Sequence, residues 1–273
     1  MAKRKNTWTE DKIARYYSEG RGSGELGDYK PWLNIHDVSS SGRSLRVMGW
    51  KTSRIHHLLS DLERNYFYLL EWADEVIDIR EQYPLDREIT HQIAENKQIN
   101  HPTDKTTKTP IVLTTDFFIT LRKGREISYI ARTVKPSGKL DKSRVIQKFE
   151  IERAYWKDRH VDWGIVTEKD LPVEMVGNIG WFHSAYELPA PPDNELIPEL
   201  YGTLQQSKDP IGKTLRQFDE SYHLEKGSAL ALFKHLLARK KVLFNVKERF
   251  SVTWNTSTLT FPVLDRNEEG VAT

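Results

Sequence analysis

Two β-rich segments joined by a short glycine-containing turn place the strongest constraint on how this chain can fold. Residues 111–121 and 127–135 are rich in β-branched and aromatic side chains, and Arg122-Lys-Gly-Arg125 between them supplies the turn of a β-hairpin. A helix at residues 143–160 and a further strand at 161–167 are predicted next. A hairpin followed by a helix and a strand is typical of a mixed sheet covered by helices, so the sequence predicts an α/β fold.

Shorter signals predict the elements that precede the hairpin. Thr7-Trp-Thr-Glu10 has the pattern of a capping box that begins a helix, and a second helix at residues 60–72 is followed by a strand at 76–79. Residues 25–58 lack a regular pattern, and residues 86–108 are polar without periodicity, which predicts an exposed excursion. The predicted apolar face of the second helix consists of Leu62, Tyr66, Leu69 and Leu70.

A proline-rich segment, Pro189-Ala-Pro-Pro192, marks a change of composition in the C-terminal part. The elements predicted beyond it are helices near 194–206, 211–220 and 228–239, then β-like runs at 241–244 and 258–263. Three helices and a terminal hairpin resemble a winged helix. We therefore expect an α/β domain at residues 1–169 and a winged-helix-like domain at residues 170–273.

Charge and composition limit the functions and the cellular locations that can be expected for this chain. The 273 residues carry 41 Lys and Arg against 39 Asp and Glu, but residues 1–60 hold eleven basic against six acidic side chains. A basic N-terminal segment suits a phosphate backbone, and a solvated surface explains it equally well. The sequence has no cysteine, which excludes disulfides, cysteine-ligated zinc and thiol catalysis. Without a signal-like apolar stretch or a run of about 18 apolar residues, the chain is expected to be cytoplasmic and to engage no membrane.

Glu63, Asp116 and Lys135 are the candidate catalytic residues. Carboxylates bind hard divalent cations such as Mg²⁺, which stabilise the charge on a phosphodiester under attack, and a lysine can orient the attacking water as an ammonium or deprotonate it as a neutral amine. Each residue also has a structural explanation. Ser60-x-x-Glu63 is itself a capping box, Asp116 in a strand can serve a salt bridge or a sheet edge, and Lys135 can extend into solvent.

Longer strings of residues carry a resemblance to a known family. In chain order they are Ser41-Gly-Arg43, Lys51-Thr-Ser-Arg54, His56-His-Leu-Leu-Ser-Asp-Leu-Glu63, Asp78-Ile-Arg-Glu-Gln-Tyr-Pro-Leu85, Thr115-Asp116-Phe117, Val134-Lys135-Pro136 and Glu150-Ile-Glu-Arg-Ala-Tyr-Trp156. Over roughly residues 5–185 the chain thereby resembles the TnsA family, the endonuclease subunits of the heteromeric cut-and-paste transposases of Tn7-type transposons.

The resemblance implies a fold and a metal site. It implies a restriction-endonuclease-like N-terminal domain, a winged-helix C-terminal domain, and Mg²⁺-dependent hydrolysis of the 5′ (non-transferred) strands at transposon ends, with Mn²⁺ as a substitute. Glu63 and Asp116 match the family's metal carboxylates, and Lys135 matches its lysine. The backbone carbonyl of Val134 matches a further ligand position, and Glu152 matches a helix glutamate that supports the site.

Thr133 departs from the family pattern, which has Gln or Glu two residues before the lysine. A threonine hydroxyl can bind a metal, but it is shorter and carries no charge. Three explanations stay open. Thr133 ligates metal directly or through water, Glu152 supplies the missing oxygen, or the site binds metal weakly until a partner assembles.

The resemblance also implies partners: double-stranded DNA at transposon ends, a DDE-type (TnsB-like) transposase that cuts and joins the 3′ ends, and an ATP-dependent (TnsC-like) regulator that contacts the C-terminal domain. Two other functions stay open, a regulatory DNA-binding subunit with weak or lost catalysis and a stand-alone restriction endonuclease. The candidate DNA contacts are Arg43, Lys51, Arg54 and His57.

Overall fold

The structure, a computed structural model, describes residues 7–38, 43–188 and 195–262. The chain divides into two compact units, Met1–Leu171 and Pro172–Thr273. This division falls two residues beyond the end of the first predicted domain. Several features of the sequence lie outside the described residues: positions 1–6 of the basic segment, positions 41 and 42 of the family-like strings, the proline-rich segment, and the last residue of the final β-like run.

The first unit contains both helices and strands. In chain order these are α1 (Glu10–Ser18), β1 (Leu45–Met48), β2 (Ile55–Leu58), α2 (Asp61–Trp72), β3 (Val76–Pro84), α3 (Arg87–Asn96), β4 (Thr114–Lys123), β5 (Glu126–Val134), α4 (Ser143–Lys157) and β6 (Asp162–Val166). Strands β3 to β6 form a four-stranded sheet in that order, and β1 and β2 form a separate pair. Strand β4 runs antiparallel to β3 and β5, whereas β6 runs parallel to β5. The predicted α/β fold with a mixed sheet is confirmed.

Helices cover both faces of the four-stranded sheet, because neighbouring residues of a strand point to opposite sides. On β4 the ring of Phe117 lies 5.6 Å from that of Tyr66 in α2, and the ring of Phe118 stacks 4.9 Å from that of Trp156 in α4. Phe117 is fully buried, and burying such a side chain contributes roughly 1.5–3 kcal/mol. The sheet is therefore fixed from both sides at the level of Asp116.

The first two helices begin close to the predicted positions. The N-cap of α1 is Thr9 rather than Thr7. Ser60 caps α2, as predicted. The buried face of α2 differs from the predicted one, since its buried residues are Glu63, Phe67, Leu70 and Glu71. The spacing of apolar residues predicted the wrong face of α2, because Glu63 and Glu71 lie on the buried side of this helix.

The prediction of irregular structure is wrong in two segments. Residues 25–58 contain β1 and β2, and residues 86–108 contain α3. Asp86 caps α3 through its side chain, which accepts a hydrogen bond from a backbone N–H at 3.0 Å. The helix buries Ile93 and Ala94 in the core shared with α4. A ten-residue helix with so small a buried face leaves little periodic signal in its sequence.

The second unit is mainly helical over its described residues. Its helices are α5 (Val173–Phe182), α6 (Leu196–Gln206), α7 (Ile211–Ser221) and α8 (Ser228–Ala238). The last three confirm the predicted helices, and α5 has no counterpart in the prediction. The two predicted β-like runs meet in one antiparallel bridge, between Leu243 and Thr260. The winged-helix assignment therefore stays a prediction. Within the described ranges, no helix has the length and apolar character to cross a membrane.

Candidate active site

Asp116 lies where the β4–β5 ladder ends. The registered pairs of this hairpin reach as far as Phe117 and Arg132. One residue beyond, Oδ2 of Asp116 accepts a hydrogen bond from the Val134 N–H at 2.7 Å. Its other oxygen, Oδ1, accepts from the Gln82 amide of β3 at 3.2 Å. The carboxylate is thus held between two neighbouring strands.

Glu63 has the structural role that the sequence offered as one of two alternatives. It lies in the first turn of α2, where its Oε1 accepts from the Ser60 hydroxyl at 2.8 Å and its Oε2 from the Leu59 N–H at 2.9 Å. Its own N–H donates to the Ser60 hydroxyl oxygen at 3.2 Å. Glu63 thus contributes to the N-terminal cap of α2 through Leu59 and the Ser60 hydroxyl, without the Ser60 N–H bond of a full capping box. The negative charge of Asp116 acts on the same carboxylate.

Glu63, Asp116 and Lys135 form one charge cluster. Burial raises the pKa of Glu63 to about 8, and the negative charge of Asp116 adds to the rise. Burial also raises the pKa of Asp116. The Lys135 ammonium opposes both shifts. Two mutually repelling carboxylates beside one ammonium are typical of a site that binds a cation and moves protons.

Thr133 and Glu152 form a hydrogen-bonded unit behind Asp116. The Thr133 hydroxyl donates to Oε1 of Glu152, which also accepts from the Thr115 hydroxyl at 2.7 Å. Trp156 in turn donates to the Thr115 oxygen at 2.7 Å. Burial raises the pKa of Glu152 to about 7, although both threonine hydroxyls oppose the rise. Two of the explanations for the missing Gln were that Thr133 ligates the metal and that Glu152 supplies the oxygen. Because Thr133 and Glu152 are hydrogen-bonded to each other, both explanations concern the same structural unit.

Arg54 is a structural residue, which corrects its prediction as a DNA contact. Its side chain is buried, and its guanidinium binds the two oxygens of Glu81 at 2.8 and 2.5 Å. Nδ1 of His56 lies 2.7 Å from the same carboxylate, and the His57 N–H donates to it at 3.0 Å. Although burial opposes it, the His56 and Arg54 partners hold the pKa of Glu81 well below its usual range. This buried network joins β2 to β3 next to the candidate site.

The other three predicted DNA contacts differ in their surroundings. Arg43 is exposed, and its contact with DNA stays a prediction. The Lys51 ammonium donates to the backbone carbonyl of Ala73 at 2.8 Å, at the C-terminal end of α2. The half-buried His57 accepts the Ile35 N–H through Nδ1 at 3.4 Å. Lys51 and His57 thus serve local structure in this state of the protein.

Gln82 is a site residue that the sequence reasoning missed. Besides binding Asp116, it is buried in β3 with a φ of +48°, a left-handed conformation that is uncommon for residues other than glycine. In a regular strand Glu81 and Tyr83 would face the same side, but Glu81 contacts β2 whereas Tyr83 packs against the α4 core. The twist at Gln82 re-aims the strand beside Asp116. A backbone angle of this kind leaves no signature in one sequence.

We expect Gln82→Gly and Gln82→Ala to lower the cleavage rate about tenfold each, because both remove the amide that holds Asp116. Glycine adopts a positive φ freely, so Gln82→Gly should be more stable than Gln82→Ala by about 1 kcal/mol. Single-turnover cleavage over a Mg²⁺ titration and thermal unfolding check the two effects separately. A positioning role also requires a higher half-saturating Mg²⁺ concentration in both variants. Wild-type rates in both would refute it.

The donor set fits magnesium better than a metal held by protein alone. Among the described residues, no group of three or more His, Cys, Asp or Glu side chains is placed to hold a metal ion. Mg²⁺ usually binds through one or two carboxylates, keeps several waters and takes further oxygens from substrate phosphates. Glu63 and Asp116 supply that number of carboxylates, and Asp116 is only partly buried.

Comparison with known proteins gives two family matches and a relative. Residues 73–168 match the family model described as TnsA-like endonuclease N terminal, and residues 170–246 match TnsA endonuclease C terminal. The first match begins after Glu63 and contains Asp116, Thr133, Lys135 and Glu152. The chain is also 38% identical over 252 residues to the Transposon Tn7 transposition protein TnsA of Escherichia coli, covering 92% of this chain and 91% of the relative.

Proposed function

The chain belongs to the TnsA endonuclease family, and from this premise we propose that it is the Mg²⁺-dependent endonuclease subunit of a heteromeric cut-and-paste transposase. Its reaction is cleavage of the 5′ (non-transferred) strands at transposon ends. The observation that carries this function is the pairing of the Glu63 and Asp116 carboxylates beside Lys135. The sheet with a parallel β5–β6 pair supports a restriction-endonuclease-like domain, and the helices α6 to α8 support a winged-helix-like one.

Each residue of the cluster has a distinct role in the proposed reaction. Asp116 and Glu63 would hold the cation, together with the backbone carbonyl of Val134. When bound there, Mg²⁺ would supply stabilisation of the charge that develops on the phosphodiester. The Lys135 ammonium orients the attacking water, whose proton is released to solvent while the leaving 3′ oxygen takes one up. The water oxygen forms a bond to phosphorus as the P–O3′ bond breaks in line with it, which leaves a 5′-phosphate and a 3′-hydroxyl.

Thr133 and Glu152 support the site from behind the strand. Their hydrogen bond fixes β5 against α4 one residue from Val134. In this role Glu152 keeps β5 in register, and Thr133 adds an oxygen next to the metal carboxylates. Thr133 carries no charge, and Oε1 of Glu152 is already held by two threonine hydroxyls, so metal binding relies mainly on Glu63 and Asp116.

The proposed partners follow from family membership. A DDE-type (TnsB-like) transposase cuts and joins the 3′ ends of the same transposon. An ATP-dependent (TnsC-like) regulator contacts the C-terminal unit. The E. coli relative is named as a transposition protein, which supports placing this chain in a transposition complex.

A strand-specific cleavage assay tests this function. The substrate is a plasmid that carries a pair of matched transposon ends, with either strand labelled, incubated with and without the transposase partner in Mg²⁺ or EDTA. We expect 5′-strand cuts that require both Mg²⁺ and the partner. Cutting of plain duplex by the chain alone would instead identify a stand-alone restriction endonuclease.

A regulatory subunit with weak or lost catalysis is the second candidate, and Thr133 is the observation that favours it. The neutral hydroxyl occupies a position where the family has Gln or Glu, and its proton is already donated to Glu152. In the same assay, this alternative predicts that only the 3′ strands are cut in the complete complex, in Mn²⁺ as well as Mg²⁺.

A further inference from the structure

A row of charged residues follows one face of α4 away from the candidate site. Arg144, Lys148 and Glu152 are spaced four residues apart on this helix, so their side chains lie along the same face. The row begins at the site itself, since Glu152 binds Thr133. At 1.5 Å per residue, Lys148 lies about 6 Å and Arg144 about 12 Å further along the helix axis. We refer to Arg144 and Lys148 as the α4 basic pair.

The α4 basic pair is exposed and has no anionic partner among the described residues. Lys148 makes no hydrogen bond or ion pair there. Arg144 donates to the Asn100 carbonyl at 2.7 Å and to the Gln147 side chain at 3.0 Å, both of which are neutral. The nearby acidic residue of α4, Glu150, is occupied by other cations, Lys97 and Arg153, on a different face of the helix.

The cations of this row also repel one another. Although the Lys148 residue is exposed, surrounding protein atoms partly desolvate its ammonium and lower its pKa, and the charges of Arg144 and Lys135 lower it further. Lys148 therefore lies within electrostatic range of Lys135. Like charges gathered without a counter-ion destabilise a free protein, and an anion that binds along them relieves the repulsion.

An extended polyanion fits this arrangement better than a small anion does. The two positive charges are offset by about one helical turn along a line that begins where Glu152 contacts β5. Two further exposed cations, Lys139 and Lys142, lie in the preceding segment. Residues 135–148 contain five basic side chains and one acidic side chain. A phosphodiester backbone is the polyanion that a nuclease must already hold at the Lys135 end of the row.

We propose that the α4 basic pair binds the phosphate backbone of duplex DNA that flanks the cleaved bond. This rests on the proposed endonuclease function and names the surface along which its substrate runs. Arg144 and Lys148 thereby take the role that the sequence assigned to Arg54, which is buried. Their contacts fix the position of the duplex and carry no sequence preference of their own.

Salt-dependent binding tests this surface with a matched control. The double variant Arg144→Ala, Lys148→Ala is compared with Lys123→Ala, Arg125→Ala, which removes two exposed cations at the hairpin turn. Lys123 is seven residues from Asp116, or about 23 Å along β4. The probe is a fluorescein-labelled duplex of about 30 base pairs, followed by anisotropy in EDTA between about 50 and 200 mM salt.

We expect the α4 double variant to bind at least about tenfold more weakly at the lowest salt, with a log–log salt slope reduced by about 1.8, since each lost phosphate contact removes about 0.9. The hairpin variant should bind within about twofold of wild type. Equal losses in both pairs, or wild-type affinity and slope in the α4 variant, would overturn the proposal. Thermal unfolding verifies the fold, and the conservative pair Arg144→Gln, Lys148→Gln must reproduce the loss.

The two proposals fail in distinguishable ways because this binding is measured without metal. If the protein binds DNA through the α4 basic pair but never cuts it, the proposed DNA surface is supported and the endonuclease function is refuted. If the protein cuts transposon ends but the α4 double variant binds DNA like wild type, the endonuclease function is supported and the proposed surface is refuted.

Discussion

Asp116→Asn should lower the rate of 5′-strand cleavage by at least about 10³-fold, because it removes the charge that holds the cation while keeping the shape of the side chain. The amide oxygen of asparagine can still accept the Val134 N–H, which Asp116 binds at 2.7 Å. Replacing the carboxylate also ends its repulsion of Glu63, so we expect no loss of stability. Single-turnover cleavage in the complete transposition complex at saturating Mg²⁺ measures the effect.

Asp141→Asn is the matched control for this experiment. Asp141 is an exposed carboxylate shortly before α4, so its replacement should leave the cleavage rate within about twofold of wild type. Thermal unfolding of both variants verifies the fold. If Asp116→Asn continued to cut with a normal dependence on Mg²⁺, the assignment of Asp116 as a metal carboxylate would be refuted.

Metal-free stability should fall as the pH rises, because two buried carboxyl groups resist ionisation. Burial raises the pKa of Glu63 to about 8 and that of Glu152 to about 7, from the ordinary glutamate value of 4.5. A raised pKa stabilises the folded state fully below the unfolded pKa, and this contribution is lost as the pH rises through the folded pKa. Between about pH 6 and 8, Glu63 alone should lower the free energy of unfolding by roughly 2 kcal/mol.

Divalent metal should reverse this loss, since a bound cation favours the ionised carboxylates. Chemical unfolding in EDTA and in Mg²⁺ across this pH range measures both effects, and stabilisation by Mg²⁺ should be larger at pH 8 than at pH 6. Glu63→Gln is the control, because it removes one titrating carboxyl. Burial lowers the pKa values of His57 and His101, but both histidines titrate equally in wild type and variant. Parallel curves for the two proteins would contradict the prediction.

The central fold was predictable because its signals are local. The β4–β5 hairpin is encoded by two β-branched runs and a glycine turn, and α4 by a long helical segment. Helix α3 was missed because its residues are largely polar and its few apolar side chains give no clear period. Its stability comes from packing against α4, which involves residues more than forty positions further along the chain.

The sequence predicted only those candidate site residues whose chemical role can be inferred from their residue type. Three charged residues in suitable elements, and the family-like strings around them, pointed to Glu63, Asp116 and Lys135. Arg54 was misjudged because its partner, Glu81, is 27 residues away and becomes a neighbour only when β2 meets β3. Gln82 escaped notice because its importance lies in a backbone angle and in its position opposite Asp116.

The structural role of Glu63 distinguishes the three candidate site residues by whether a protein without catalysis would still need each of them. Glu63 caps α2 through Leu59 and Ser60, so a protein that never cut DNA would still need it. Asp116 also has a structural use, since it binds the Val134 N–H. The Lys135 side chain makes no hydrogen bond within the described part of the chain. In a pseudoenzyme descended from such a protein, drift would therefore erase the lysine first and the helix-capping glutamate last.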